Sequence, residues 1–165
     1  MNNNENIDKL KKISRDYLCA RKKFREIADT IPELTGNDNI VGRIGEFIAL
    51  QFLRDICGNN NVIRNECMVE AGYDILADGR KVSVKIITSE NTTGATTRVR
   101  DPWDELVLIE LDGCNVARIG FLKKEKLAEE HGKLNPIARR TMLNERGLIG
   151  RYGKVYSGNA VKKYL

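Results

Sequence analysis

Two strand-like runs, Tyr73 to Ala77 and Arg80 to Thr88, are separated only by the dipeptide Asp78-Gly79. Asp-Gly accepts the positive φ angles of a two-residue type I′ turn, so this spacing predicts a tight antiparallel hairpin. The register of such a hairpin follows from its turn. Ala77 pairs with Arg80, and counting outward sets Asp74 opposite Ser83. Side chains alternate along a strand, so Lys85 is expected on the face of Ser83, while Val82, Val84 and Ile86 project into a core. An acid, a hydroxyl and an amine should therefore converge on one surface.

Around the hairpin the apolar period changes. Leu10, Ile13, Tyr17, Ala20, Phe24, Ile27 and Ile31 recur at spacings of three and four, which predicts a long amphipathic helix over residues 5 to 30. Its stripe fits two roles, a coiled-coil seam joining a homodimer or packing on its own domain. Pro32 and the polar run Thr35-Gly36-Asn37-Asp38-Asn39 should end it as a loop. A second helix is expected over residues 40 to 57, burying Ile40, Ile44, Phe47, Ile48, Phe52 and Ile56 and stopping at Gly58-Asn59-Asn60-Asn61. Gly45-Glu46 lies in its first half. Val62 to Met68 reads as a further strand, and the Thr- and Gly-rich Ser89 to Arg100 as a flexible loop. Leu106 to Leu111 and Val116 to Phe121 predict a second hairpin across Asp112-Gly113-Cys114-Asn115, followed by a helix over Lys123 to His131. Beyond Pro136 the pattern suggests a short helix to about residue 144 and then a strand or a DNA-contacting loop in GLIGRYGKVYSG.

This order of elements predicts one domain of mixed α/β (α+β) class, with 165 residues enough to bury a core. Its parts are an N-terminal helix and loop (1–40), a core (41–121) and a C-terminal segment (122–165). Cys19, Cys57, Cys67 and Cys114 form no CxxC pair and read as reduced, mostly core thiols. MNNNENIDKLKK lacks the apolar centre of a signal peptide, and no run of about 18 apolar residues occurs, so a cytoplasmic protein without a membrane span is expected.

Charge is uneven along the chain. Residues 132 to 165 hold eight basic side chains against the single acid Glu145, while the remainder has slightly more acids than bases. That distribution fits a phosphate-binding face or a solvated basic tail. Arg98, Arg100, Arg139, Arg140, Arg146, Arg151 and Lys154 are the candidate DNA contacts, because guanidinium suits bidentate pairing with phosphate and base edges. Tyr152 and Tyr156, among these charges, fit either base stacking or packing of a terminal strand. The lone His131 ends a predicted helix and speaks against His-dependent catalysis. No Walker loop, dinucleotide fingerprint or nucleophile elbow occurs.

A carboxylate beside an ammonium on a strand suits phosphodiester hydrolysis, where the acid holds a hard divalent cation and the amine orients water or neutralises charge. In this chain Gly45-Glu46 on a helix, Gly72-Tyr73-Asp74-Ile75 and Ser83-Val84-Lys85 follow one another in the order of the PD-(D/E)XK nuclease motif, and residues 41 to about 121 resemble that restriction-endonuclease-like family. The chain is also similar to bacterial and phage proteins that share a VSVK strand, a polar loop and a strand like that of Trp103-Asp104 and Leu106 to Leu111. The resemblance implies a mixed central sheet flanked by helices, with the long N-terminal helix as an addition. It implies a metal-dependent DNA endonuclease using Mg²⁺, or Mn²⁺ in its place. Asp74 and the Val84 carbonyl would ligate the metal, with Lys85 beside the attacking water. Ser83 departs from the pattern, which has Asp or Glu there. Glu46 is then the candidate for the missing carboxylate and Glu90 a second, though Glu90 should point to the opposite face. With Ser83 in that place, a catalytically inactive DNA- or protein-binding module is the alternative.

Overall fold

The computed structural model describes residues 3–31, 39–58, 61–65, 72–131 and 135–165. Contacts divide the chain into two compact units, Met1–Ile40 and Val41–Leu165. The first contains helix α1 (Asn3–Ala28). On it Ile13, Tyr17 and Ile27 are exposed, as is Ala20, while Phe24 is half-buried, as is Ile31 just beyond its end. The loop expected after Pro32 lies outside the described residues, apart from Asn39.

The second unit holds a six-stranded sheet and a separate two-stranded one. Helix α2 (Ile40–Cys57) precedes strands β1 (Val62–Arg64), β2 (Ile75–Ala77) and β3 (Arg80–Ile87). After β4 (Ala95–Arg98) come β5 (Glu105–Asp112), β6 (Asn115–Lys123) and α3 (Lys124–His131). The C-terminal part adds β7 (Ile137–Arg139), a 3₁₀ turn (Arg140–Leu143), α4 (Leu148–Tyr152), β8 (Lys154–Ser157) and α5 (Asn159–Lys162). The six-stranded sheet runs β1-β2-β3-β5-β6-β8, and only the β3–β5 pair is parallel. The class is therefore mixed α and β, with a mostly antiparallel central sheet. Among the described residues no helix is long and apolar enough to cross a membrane.

Burial of the sheet on both faces follows from its central strand. Leu106, Val107, Leu108 and Ile109 form an unbroken apolar run, the pattern of a strand covered on each side. Val107 and Ile109 join Val82, Val84, Ile75 and the α2 residues Ile48, Phe52 and Leu53 in one core. Leu106 and Leu108 join Ile87, Val99, Trp103, Leu127, Met142 and Ile149 in the other. Ser83 and Lys85 alternate with Val82 and Val84, so they share the face of Ile87. That face is covered rather than solvated, and Ser83 is only 1% exposed.

Several sequence expectations are corrected. Ser89 to Arg100 is not a loop throughout, because β4 within it pairs with β7 some forty residues later. Such a distant partner leaves no mark in a local window. The segment after Pro136 is this same strand, then a single 3₁₀ turn, instead of a helix. GLIGRYGKVYSG divides into α4 and β8, and β8 extends the sheet beside β6. The second hairpin closes on the two residues Gly113-Cys114, since Asp112 pairs with Asn115. Ile56 in the last turn of α2 stays exposed, whereas Ala49, Leu50 and Leu53 are buried. None of the three described cysteines is buried: Cys19 and Cys114 are exposed and Cys57 half-buried. Cys67, Met68 and the rest of the run after Asn65 lie outside the described residues, as does the side chain of His131.

Candidate functional site

The first hairpin turns at Asp78 and Gly79, whose φ angles of 50° and 77° are those of a type I′ turn. Ala77 pairs with Arg80 and Ile75 with Val82, as counted from the sequence. There the ladder stops. One residue further the Asp74 N–H donates to the Val82 carbonyl at 2.9 Å instead of continuing the register. β2 is three residues long and β3 is eight, so among the described residues the β2-side edge of β3 beyond Val82 runs on without a paired strand. Asp74 fills that gap with its side chain: Oδ2 accepts from the Val84 N–H at 2.6 Å. The expected pairing of Asp74 with Ser83 is thus replaced by a carboxylate lying at the edge of β3.

The expected convergence on one surface is nevertheless found. Asp74, Ser83 and Lys85 line a cleft of about 260 Å³ together with Gly72, Thr97, Arg98 and Arg100. Gly72 is required here, with φ of 133° and a would-be Cβ only 2.5 Å from the Asp101–Pro102 backbone. Arg98 is brought in by β4, and its guanidinium donates to the Asn135 carbonyl at 2.8 Å. The cleft lining thus holds one acid and three cations, of which Lys85 acts on the Asp74 carboxylate. Burial pushes the Asp74 carboxyl above its ordinary range, opposed by the Val84 hydrogen bond and by the charges of Lys85 and Arg64.

Glu46 reaches the same neighbourhood from the other side of the sheet. A Cβ on Gly45 would lie 3.2 Å from Ile86, so α2 crosses β3 closely and sets Glu46 on the Val84–Ile86 face. Lys85 projects from the opposite face, and Asp74, at the strand edge, lies between them. Glu46 is buried and ion-paired, with Arg64 Nε at 2.7 Å from its Oε2. Burial raises its carboxyl above the ordinary range; the Arg64 charge lowers it, and the Asp74 charge raises it further. Arg64 is not among the residues that the sequence motif singles out. Its signal was faint: Val62 and Arg64 share a face of β1, so a strand packing Val62 against α2 must also present Arg64 to that helix.

Glu90 is exposed in the turn after β3 and does not line the cleft. The remaining candidate DNA contacts do not converge there. Arg140 is drawn into the fold, its Nε 2.8 Å from Glu110 and its terminal nitrogen donating to the Thr88 carbonyl. Arg139 is exposed on β7, and Arg151 and Lys154 are exposed on α4 and β8. Arg146 lines a separate hollow with Arg118, Asn144 and Ser157. Tyr156 packs edge-on against Phe52 at 5.0 Å, and Tyr152 packs against the second core, so both serve the fold.

Among the described residues no cluster of three or more Asp, Glu, His or Cys is assembled. The Asp74 and Glu46 carboxylates act on one another, and the Arg64 guanidinium stands beside Glu46 as counter-charge. A scan against protein-family models finds no match. A search of curated proteins finds none either.

Proposed function

We propose that this chain is a metal-dependent DNA endonuclease of restriction-like type, hydrolysing phosphodiester bonds at Asp74. The observation that carries the reading is the cleft whose lining brings the desolvated Asp74 carboxylate together with Lys85, Arg98 and Arg100. A buried acid beside several cations is an arrangement for holding and polarising a phosphate. The chain order of Gly45-Glu46 on a helix, Asp74 at the end of β2 and Ser83-Val84-Lys85 on β3, within a mixed sheet, is in keeping with it as well.

Asp74, the Val84 carbonyl and Glu46 would hold Mg²⁺ or Mn²⁺, which supplies Lewis acidity toward the phosphate and acidifies water. Lys85 orients the attacking water or neutralises developing charge. Arg98 and Arg100 on the rim seat the DNA backbone, and the Ser83 hydroxyl lies on the wall beneath them. Purified protein incubated with supercoiled plasmid and Mg²⁺ or Mn²⁺ should nick it, and Asp74→Ala or Lys85→Ala should abolish nicking. Cutting by either variant at the wild-type rate, or no cutting of any duplex or single strand, rejects the reading.

A second reading, a catalytically inactive DNA-binding module of the same type, is favoured by Ser83 in place of an acid and by the hold of Arg64 on Glu46. It predicts salt-sensitive DNA binding without hydrolysis. Cutting both strands of a symmetric site generally uses two copies related by a twofold axis. The exposed Ile13, Tyr17 and Ile27 of α1 are the proposed contact, and a single monomeric species in sedimentation at all concentrations removes it.

A further inference from the structure

Arg64 stands where two carboxylates need a cation. On β1 it pairs across the ladder with Ile75, and the next residue, Asn65, donates its N–H to the Asp74 carbonyl at 2.9 Å. The Arg64 backbone therefore flanks Asp74, while its side chain runs to Glu46 on α2 and meets Oε2 at 2.7 Å. Both partners are largely removed from solvent, with side chains 10% and 12% exposed. Arg43, almost fully buried one helical turn before Glu46, and Lys85 on the far face add positive charge nearby. The Arg64 charge thus acts on both acids before any divalent ion arrives.

A carboxylate oxygen engaged by a guanidinium is not offered to a metal, and a fixed positive charge within a few ångströms opposes a dication across a medium of low dielectric. We propose that Arg64 is an internal counter-cation that competes with divalent metal for Glu46, so that metal binding requires Arg64 to release that carboxylate. The idea rests on the reading of Asp74 and Glu46 as metal ligands and adds to it what sets their affinity. It makes Arg64 a positioning residue: in the metal-free chain it holds Glu46 in place and keeps two buried acids tolerable, and it sets a threshold below which the site stays empty.

The test uses the full chain and Mn²⁺ alone, titrated by electron paramagnetic resonance without DNA. Arg64→Gln keeps a hydrogen-bond donor for Glu46 and removes the charge; it should bind Mn²⁺ on the order of tenfold more tightly than wild type. Arg64→Lys keeps the charge but loses the planar fork, and a gain of about threefold is expected. Without metal the Arg64→Gln chain should melt lower than wild type, and Mn²⁺ should raise its melting temperature by the larger increment, because a ligand bound only by the native state stabilises it by mass action. Should Arg64→Gln be unable to fold, Arg64→Lys decides alone, tighter binding supporting the proposal and equal binding overturning it. Equal or weaker Mn²⁺ binding by Arg64→Gln overturns the competition while leaving the metal site standing. No Mn²⁺ binding by wild type or variants removes the metal site itself, and the competition with it.

Discussion

The carboxylate of Asp74 accepts a 2.6 Å hydrogen bond from the main-chain N–H of Val84, where β2 has ended and β3 has not. One side chain thereby closes a strand edge and presents an acid to the cleft. These two roles separate on mutation. Asp74→Asn keeps an oxygen for the Val84 N–H, so it should fold normally and lose metal-dependent nicking. Asp74→Ala should lose nicking and, by leaving that N–H without a partner, also about 1–3 kcal/mol of stability. Denaturant titration of both variants beside the plasmid assay checks this, and equal stabilities would disprove the structural role of the carboxylate.

Ser83 is buried beside Asp74 on the cleft wall, in the position that holds an acid in the resembled family. Ser83→Asp should tighten Mn²⁺ binding in calorimetry and cost stability when metal is absent, since a buried carboxylate lacks compensation there. A variant that is destabilised equally with and without Mn²⁺ would show that this position faces no cation.

Arg98 and Arg100 lie on the cleft rim, whereas Arg140 is spent on Glu110 and Thr88. Arg98→Ala and Arg100→Ala should each weaken binding of a duplex and lower the slope of log affinity against log salt by about one. Arg140→Ala should instead lower the melting temperature. Fluorescence anisotropy across a salt series distinguishes them, and unchanged slopes in both rim variants would count against DNA in this cleft.

Burial raises the carboxyls of Asp74 and Glu46 above their ordinary range. From about pH 4, where such groups titrate in an unfolded chain, up through their raised folded values, the native state holds more protons than the unfolded one. The contribution of these groups to stability is therefore complete below that window and lost as pH rises through it. Asp55 and Asp101, held low by hydrogen bonds from Lys163 and Lys124, act in the opposite sense, so the useful quantity is a difference. With metal chelated, the stability of wild type relative to the Asp74→Asn, Glu46→Gln double variant should fall with rising pH. A flat difference would show that neither acid is perturbed.

Much of the framework was legible because it depends on neighbours in sequence. Asp78-Gly79 dictates its own turn, and with it the pairing of Ala77 with Arg80. Leu106 to Leu111 and Val116 to Phe121 announce the second hairpin, which β5 and β6 form. Helix α2 coincides with its expected limits because Ile40 to Cys57 carries the helical period and Gly58 ends it.

Other features depended on partners distant in the chain. Nothing near Ala95 to Arg98 signals Ile137 to Arg139, so β4 looked like loop until the fold supplied its neighbour. The face from which Glu46 approaches, the arrival of Arg64 beside it and the turn of Asp74 onto the β3 edge are likewise tertiary outcomes. Local sequence determined the first hairpin, helix α2 and the strands β3, β5 and β6, and which way their side chains alternate, because those follow from backbone geometry over a few residues. Only the packed structure decided which charges meet, because that depends on where strands end and which helix covers them, and a short β2 beside a long β3 was enough to move the central acid out of its expected register.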